Sequence, residues 1–532
     1  MIWVDSICIN QASDAEAIEE RNRQVAMMDD IYNNATVVNV YLGPGNEKTD
    51  ETIIAVKNLA TAAAAAFIAK KRGVAEQATR TQYDKIAEEV LATTPNENPY
   101  GKLHNLFRLP WFSRVWVFQE VVLARKVRFY CGEYVLAFNT LFVASDFTRV
   151  PYSRLDARAD YWRSYLGWHI LFTNSLRQLE QGQYARLDAR DLLRIASSLD
   201  ATRPEDKVYG MYGCATRLGL EWPAPDYTKS IAQVYIEATV NCLQQTVALE
   251  VLESVEGTAA KEFGMPSWVL NLPGRLARVG PSEPPRTFLP IADNKKVSGL
   301  TRCEWMIMPG GKQLKIRGRR MDLVAATGDP WQFDSATGLL GDASHNTGQG
   351  FDSLLDCINT WLEVALHRPA THGISTDAGN ALVAASDLAR LFTQANKVSI
   401  KAPDRFEESL SIIIGCATEL DADLRGQLLY PKDDTNDDIK LGQEMHQTFG
   451  YLTMVIWKRV FRTAEKGYLG VCSYSARPGD LIVIFHGMKT PCLIRSCEGG
   501  FNFVSAAFVD GIMDGEFWNA GSDADDEWFI LI

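Results

Sequence analysis

The chain has 532 residues, a formal net charge of −12, and 46% hydrophobic against 23% charged residues. That length and balance predict a globular protein with room for two to four domains and an ample core. The acidic surplus excludes general affinity for nucleic acid or anionic membranes, because both need Lys/Arg counter-charge. Residues 1–10 lack the basic start of a signal peptide and contain Asp5. The longest apolar run, residues 59–69, is too short for a bilayer, which needs ~20 residues. A soluble, cytoplasmic protein without a membrane span is expected. The ten cysteines include no CxxC pair, and the seven histidines show no metal-ligand spacing, so free thiols and no metal site are expected.

In chain order, residues 2–9 (IWVDSICI) read as a buried strand, a short β-branched run stopped by Asn10-Gln11. Ser13 and Glu16 have capping-box spacing, and Val25, Met28, Ile31, Tyr32 and Ala35 recur at helical intervals behind them. Residues 37–42 (VVNVYL) form a second strand before Gly43-Pro44-Gly45. Strand, helix, strand implies a parallel unit with a right-handed crossover. Helices follow at 49–71, 83–93 and 111–124, and a third strand at 127–130. Further on, strands are expected at 314–318 and 323–326, helices at 351–366 and 381–393, a loop at the acidic 433–438, and a β-rich tail after Gly467. The basic Arg317, Arg319 and Arg320 read as a solvated strand edge.

Two stretches carry a family resemblance. Trp3-Val4-Asp5-Ser6-Ile7-Cys8-Ile9-Asn10-Gln11, with Glu20-Arg21, Gln24-Val25, Met28, Ile31-Tyr32, Ala35 and Leu42-Gly43, resembles the central signature of the fungal heterokaryon-incompatibility (HET) domain. Trp111-Phe112-Ser113-Arg114-Val115-Trp116-Val117-Phe118-Gln119-Glu120 resembles its second signature. Arg203-Pro204-Glu205-Asp206-Lys207-Val208-Tyr209, Asp226-Tyr227, Pro266-Ser267-Trp268, Arg477-Pro478-Gly479-Asp480 and residues 509–516 resemble segments that follow the domain in large members. Family members begin with a strand and loop of the type Leu-Ser-Tyr-x-Trp-Gly. This chain starts at the Asp5 segment, so an N-terminally incomplete HET domain is expected.

The resemblance implies an α/β fold. It is a TIR-like doubly wound parallel sheet lacking its first strand, followed by a helical region and a mixed, β-rich C-terminal region. The expected divisions are 1–135, 136–275, 276–465 and 466–532. It also implies an incompatibility factor acting in non-self recognition and programmed cell death. Such a factor would self-associate or bind another incompatibility protein through the faces around Val25 to Tyr32 and Trp116 to Glu120, and it would need no cofactor. HET domains look like distant relatives of TIR domains, some of which cleave the nicotinamide–ribose bond of NAD. The TIR helix carries Trp, three residues, then the catalytic Glu, and Trp116 to Glu120 has that spacing. An i, i+4 pair shares a helix face, so Glu120 and Trp116 are candidate catalytic residues, Asp5, Ser113, Asn10 and Gln11 candidate ligand contacts, and NAD a candidate substrate. An inactive truncated paralogue is the other alternative.

Plainer readings stand beside these. Glu120 could pair with Arg114 or Arg125 and do nothing more, Asp5 could bond its own backbone, and Arg21 and Gln24 could face solvent or an interface. Arg203 with Asp206 reads as a structural pair at a helix start, and Pro266-Ser267-Trp268 as a packing corner.

Overall fold

The computed structural model describes residues 2–71, 106, 109–141, 187–245, 249–256, 263–272, 295–299, 301–330, 348–366, 378–395, 458–521 and 523–532. The expected helix at 83–93 and loop at 433–438 lie outside them. Two compact units emerge, one over Met1–Ser230 with Leu272–Leu276, the other over Ile231–Asn271 and Ala277–Ile532.

The first unit opens with a correction. Residues 2–9 do not form a strand: α1 (Asp5–Cys8) is a single helical turn between extended Val4 and Ile9. A strand must bond a neighbour, and among the described residues no strand pairs with this segment. The Asp5 side chain instead accepts the Ser6 amide at 2.7 Å, which favours a turn. Ile2 and Ile7 stay 89% and 81% exposed.

Helix α2 (Ala15–Ala26) is capped by Asp14, not Ser13, which accepts the Ala17 amide at 2.9 Å. Ala17, Arg21 and Val25, spaced by four, form its buried stripe. The chain breaks at Met27 and continues as α3 (Met28–Asn34), so the expected single helix is two. Strand β1 (Val38–Gly43) alternates, with Val38, Val40 and Leu42 inward. After it, α4 (Glu47–Lys71) starts at a reciprocal pair in which Thr49 N–H donates to Asn46 Oδ1 and Asn46 N–H to Thr49 Oγ1. Gly45 and Gly132 touch backbone to backbone there. A side chain on Gly132, itself at φ +53°, would meet the Pro44 carbonyl at 2.9 Å.

Helix α5 (Val117–Val122) is six residues long and wholly buried, where a helix over 111–124 was expected. Leu109-Pro110 and a 3-10 turn over Pro110–Ser113 take the front of that span. Strands β2 (Val127–Cys131) and β3 (Tyr134–Ala137) complete a three-stranded sheet, β2 parallel to β1 and antiparallel to β3. This small mixed sheet, not a doubly wound one, is what the described residues contain. Helices α6 (Ala189–Ser198), α7 (Asp206–Tyr209) and α8 (Tyr212–Arg217) finish the unit.

The second unit opens with α9 (Ile231–Gln245) and is mainly strands. They are β4 (Trp305–Ile307) and β5 (Leu314–Thr327), then, after helices α10 (Gly348–Leu366) and α11 (Ala378–Ala395), β6 (Lys458–Thr463), β7 (Leu469–Ser473), β8 (Leu481–Phe485), β9 (Cys492–Cys497) and β10 (Gly500–Val509). Helix α12 (Glu516–Ala520) and β11 (Asp526–Leu531) end the chain. Antiparallel pairings run β10-β7-β6-β5-β8-β9 and return to β10, closing a barrel that leaves these six strands without a free edge. The two strands expected at 314–318 and 323–326 are one, bent by register shifts at Arg320/Asp322 and Val324/Ala326. Arg317, Arg319 and Arg320 lie inside β5, not at an edge, paired with Glu304, Asp526 and Glu527 in turn; Arg319 is buried, while Arg320 keeps its expected exposure. Ser267 and Trp268 are buried, the Ser267 hydroxyl accepting the Phe503 amide at 2.8 Å, as a packing corner should.

Candidate functional site

Pro110 fixes the start of the 3-10 turn, and the turn delivers Trp111 edge-on against Phe112 and Phe129, centroids 5.0 and 5.4 Å away. Trp111 Nε1 donates to Glu120 Oε2 at 3.1 Å. Glu120, in the first turn of α5, is only 8% exposed. Tyr32, near the end of α3, is buried too, with Trp3 edge-on to its ring at 5.8 Å. At the rim, Arg114 reaches Asp5 Oδ2 at 3.5 Å.

These groups share one field. Burial pushes the Glu120 carboxyl up from 4.5 to about 7; Arg114 and the Trp111 bond pull it down, and the Asp5 charge raises it further. Burial, with the charges of Glu120 and Asp5, also holds the Tyr32 hydroxyl well above its ordinary range. The two signature stretches thus meet in space. Near neutrality such a carboxyl occupies both protonation states, so it can stabilise a developing cation or hold a proton.

The other sequence-selected residues are placed differently. Asn10 Oδ1 accepts the Ala12 amide at 3.0 Å, Gln11 Nε2 donates to the Ile9 carbonyl at 3.1 Å, and Ser113 Oγ donates to the Pro110 carbonyl at 3.2 Å. All three serve local turns. Trp116 precedes α5, and its Nε1 donates to Asp206 Oδ2 at 3.3 Å. Trp116 and Glu120 therefore have different partners instead of a shared one. Arg125 does not pair with Glu120; its Nε donates to the Asn33 carbonyl at 2.9 Å. Asp5 bonds both its own next amide and Arg114.

Two further expectations are corrected. Arg21 is buried, its guanidinium donating to the Asn10 and Ala12 carbonyls at 3.0 and 2.7 Å, so the loop after α1 is tied down from within. Arg203 pairs with Glu205 at 2.8 Å, not with Asp206. Asp206 accepts the Tyr227 hydroxyl at 2.8 Å as well as Trp116, and burial pushes its carboxyl up from 3.8 to about 6, against the pull of those two bonds. Sequence reasoning missed Trp111 and Tyr32 as partners of Glu120, although both belong to the signatures. Asp206 as the partner of Trp116, 90 residues away, had no local signal.

The heterokaryon incompatibility protein (HET) family matches residues 1–120, and the Het-6 beta-barrel domain matches residues 420–531. Strand β5, which closes the barrel, lies before the second match. Over 598 aligned positions the chain is 25% identical to heterokaryon incompatibility protein 6, OR allele, of Neurospora crassa, covering 100% of this chain and 83% of that protein. No solved structure matches. Among the described residues no helix is long and apolar enough to cross a membrane. Both family matches, and a relative aligned along the whole length of the chain, support a fungal HET-domain protein.

Proposed function

We propose that the protein is a heterokaryon-incompatibility factor of the cytoplasm, whose HET domain triggers programmed cell death when it meets a non-self partner. That partner is a second copy or another incompatibility protein. The name of the Neurospora crassa relative supports the process. The single observation that carries the site is the convergence of Asp5, Arg114 and Tyr32 on the buried Glu120. The test is inducible expression of the full chain in a fungal host, with viability scored at matched protein level. Wild type is expected to kill and Glu120→Ala to spare. Survival with wild-type protein, alone and beside candidate incompatibility partners, would remove this reading.

The Glu120 environment favours a second reading, a TIR-like hydrolysis of NAD. Water adds to the ribose carbon, the N-glycosidic bond breaks with its electron pair passing to the ring nitrogen, and nicotinamide, ADP-ribose and a proton result. Glu120, as carboxylate, would stabilise the oxocarbenium charge or hold a sugar hydroxyl. Nicotinamide release by wild type but not by Glu120→Gln supports it; equal release by both removes Glu120 from the reaction. A chain that neither kills nor turns over NAD fits the inactive paralogue.

A further inference from the structure

We propose that Asp206 is a positioning residue for the helix that carries Glu120, acting through the Trp116 indole, so that the working unit of the HET domain runs on to residue 230. This deepens the cell-death reading and rests on it.

Helix α5 cannot orient itself. At six residues it is far below the ~12–15 at which isolated helices become marginally stable, and no side chain caps its start. Its placement must come from tertiary contacts, and residues 200–213 supply a set of them. Val115 N–H donates to the Asp200 carbonyl at 2.7 Å. Trp116 donates to Asp206. Gly213 packs so closely that a side chain there would meet Asp29 Cβ at 2.6 Å and Gln119 Oε1 at 2.8 Å. That contact sets α8 against both α3 and α5.

The opposite wall of the site is held from the residues that follow, Arg217 and Tyr227. Arg217 bonds Asp29 at 3.1 Å and Asp30 at 2.7 Å, both on the helix that ends beside Tyr32. Tyr227 N–H donates to Asn22 Oδ1 at 3.0 Å, and the guanidiniums of Arg21 and Arg203 lie 5.4 and 4.8 Å from its ring. Asp206 is where the two walls meet: Oδ1 takes the Tyr227 hydroxyl, anchored to α2, and Oδ2 takes the Trp116 indole, at the start of α5. A buried carboxylate with one donor from each side fixes their separation more firmly than apolar contact, because each bond is directional and charge-assisted.

The test uses the full chain. Hydrogen exchange is measured at the amides of Val117–Val122, with viability scored in the fungal host. Asp206→Ala is expected to speed exchange in α5 by about tenfold, the scale of one lost buried hydrogen bond. Trp116→Phe, which keeps a ring and removes the donor, should do the same, and the double variant should add nothing further, since both remove one link. Asp206→Asn should restore protection and killing, its oxygen still accepting from Trp116 and its amide donating to the Tyr227 oxygen. Unchanged α5 exchange in Asp206→Ala, additivity in the double variant, or killing that survives the loss of protection would each overturn the proposal. Should Asp206→Ala fail to fold, Trp116→Phe and Asp206→Asn carry the same comparison. Should wild type not kill, the cell-death reading fails, while the exchange data still decide whether Asp206 positions α5.

Discussion

In the N-terminal unit, Glu120 and Asp206 receive their hydrogen bonds from neutral groups, the indoles of Trp111 and Trp116 and the phenol of Tyr227. In the C-terminal unit, Asp480 is gripped by both ends of the Arg495 guanidinium at 2.7 and 2.8 Å. Asp526, with a side chain only 1% exposed, is held there by Arg319 at 2.9 Å and by His486 at 2.8 Å. The consequences differ. A neutral donor does not return the solvation a carboxylate loses on burial, so the first pair is pushed up to about 7 and about 6. In the second unit the partner is an arginine, and its bond to Asp480 raises the Arg495 guanidinium itself. The first unit holds these two acids near neutrality on neutral donors, whereas the two barrel acids sit on arginines. Perturbed acids gather at working sites more often than at scaffolding, and the contrast fits a working N-terminal unit on this chain.

The comparison breaks most visibly at Asp526. Asp526→Ala leaves Arg319, with a side chain 3% exposed, buried without its carboxylate. It should lower the stability of the barrel unit by about 3–5 kcal/mol, measured by denaturant titration with exchange at β5 and β11 as the local probe. A loss under about 1 kcal/mol would show that the arginines do not hold this acid as described.

Glu120→Gln should do the reverse. The folded value of about 7 lies above the ordinary 4.5, so the folded state binds the proton more tightly. Its stabilising contribution is complete below 4.5 and is lost as pH rises through about 7. Gln keeps an oxygen for the Trp111 donor and carries no charge. The variant should therefore be more stable than wild type by roughly 3 kcal/mol at pH 8, and no more stable at pH 4. Thermal melts across that range decide it, and a difference flat with pH would place the titration elsewhere.

Trp111→Phe sharpens the same point. Its indole bond lowers the Glu120 value, so losing it should move the midpoint of the wild-type-minus-Gln difference upward by about one unit, roughly 1.4 kcal/mol. Asp5→Asn should matter least. The Asp5–Arg114 pair is partly exposed on both sides, at 32% and 47%, so stability should change by less than about 0.5 kcal/mol. The Glu120 midpoint should fall, because the Asp5 charge raises it. A midpoint that does not move would detach Asp5 from the site.

Much of this was legible along the chain. The alternation of residues 37–42 and the run at 127–130 give β1 and β2 within a residue, and the apolar spacing of residues 351–366 and 381–393 gives α10 and α11 within a few. The two signatures located Asp5 and Glu120, which do converge. What misled was the IWVDSICI run. Its β-branched residues suit a strand, but a strand is a pairing and pairing is not local. The single long β5 was read as two for a related reason, since its bends are register shifts against β6 and β8.

By itself, then, the sequence determined where apolar faces alternate, where turns fall, and which two stretches carry the HET signatures, because all of these depend on neighbours a few residues apart. Only the tertiary structure decided that Glu120 answers to Trp111 and Tyr32, that Trp116 answers to Asp206, and that Arg319 is a buried counter-ion instead of a surface charge. A carboxyl's charge state is set by how much water it has lost and which donors replaced it, and both are supplied by residues distant in the chain.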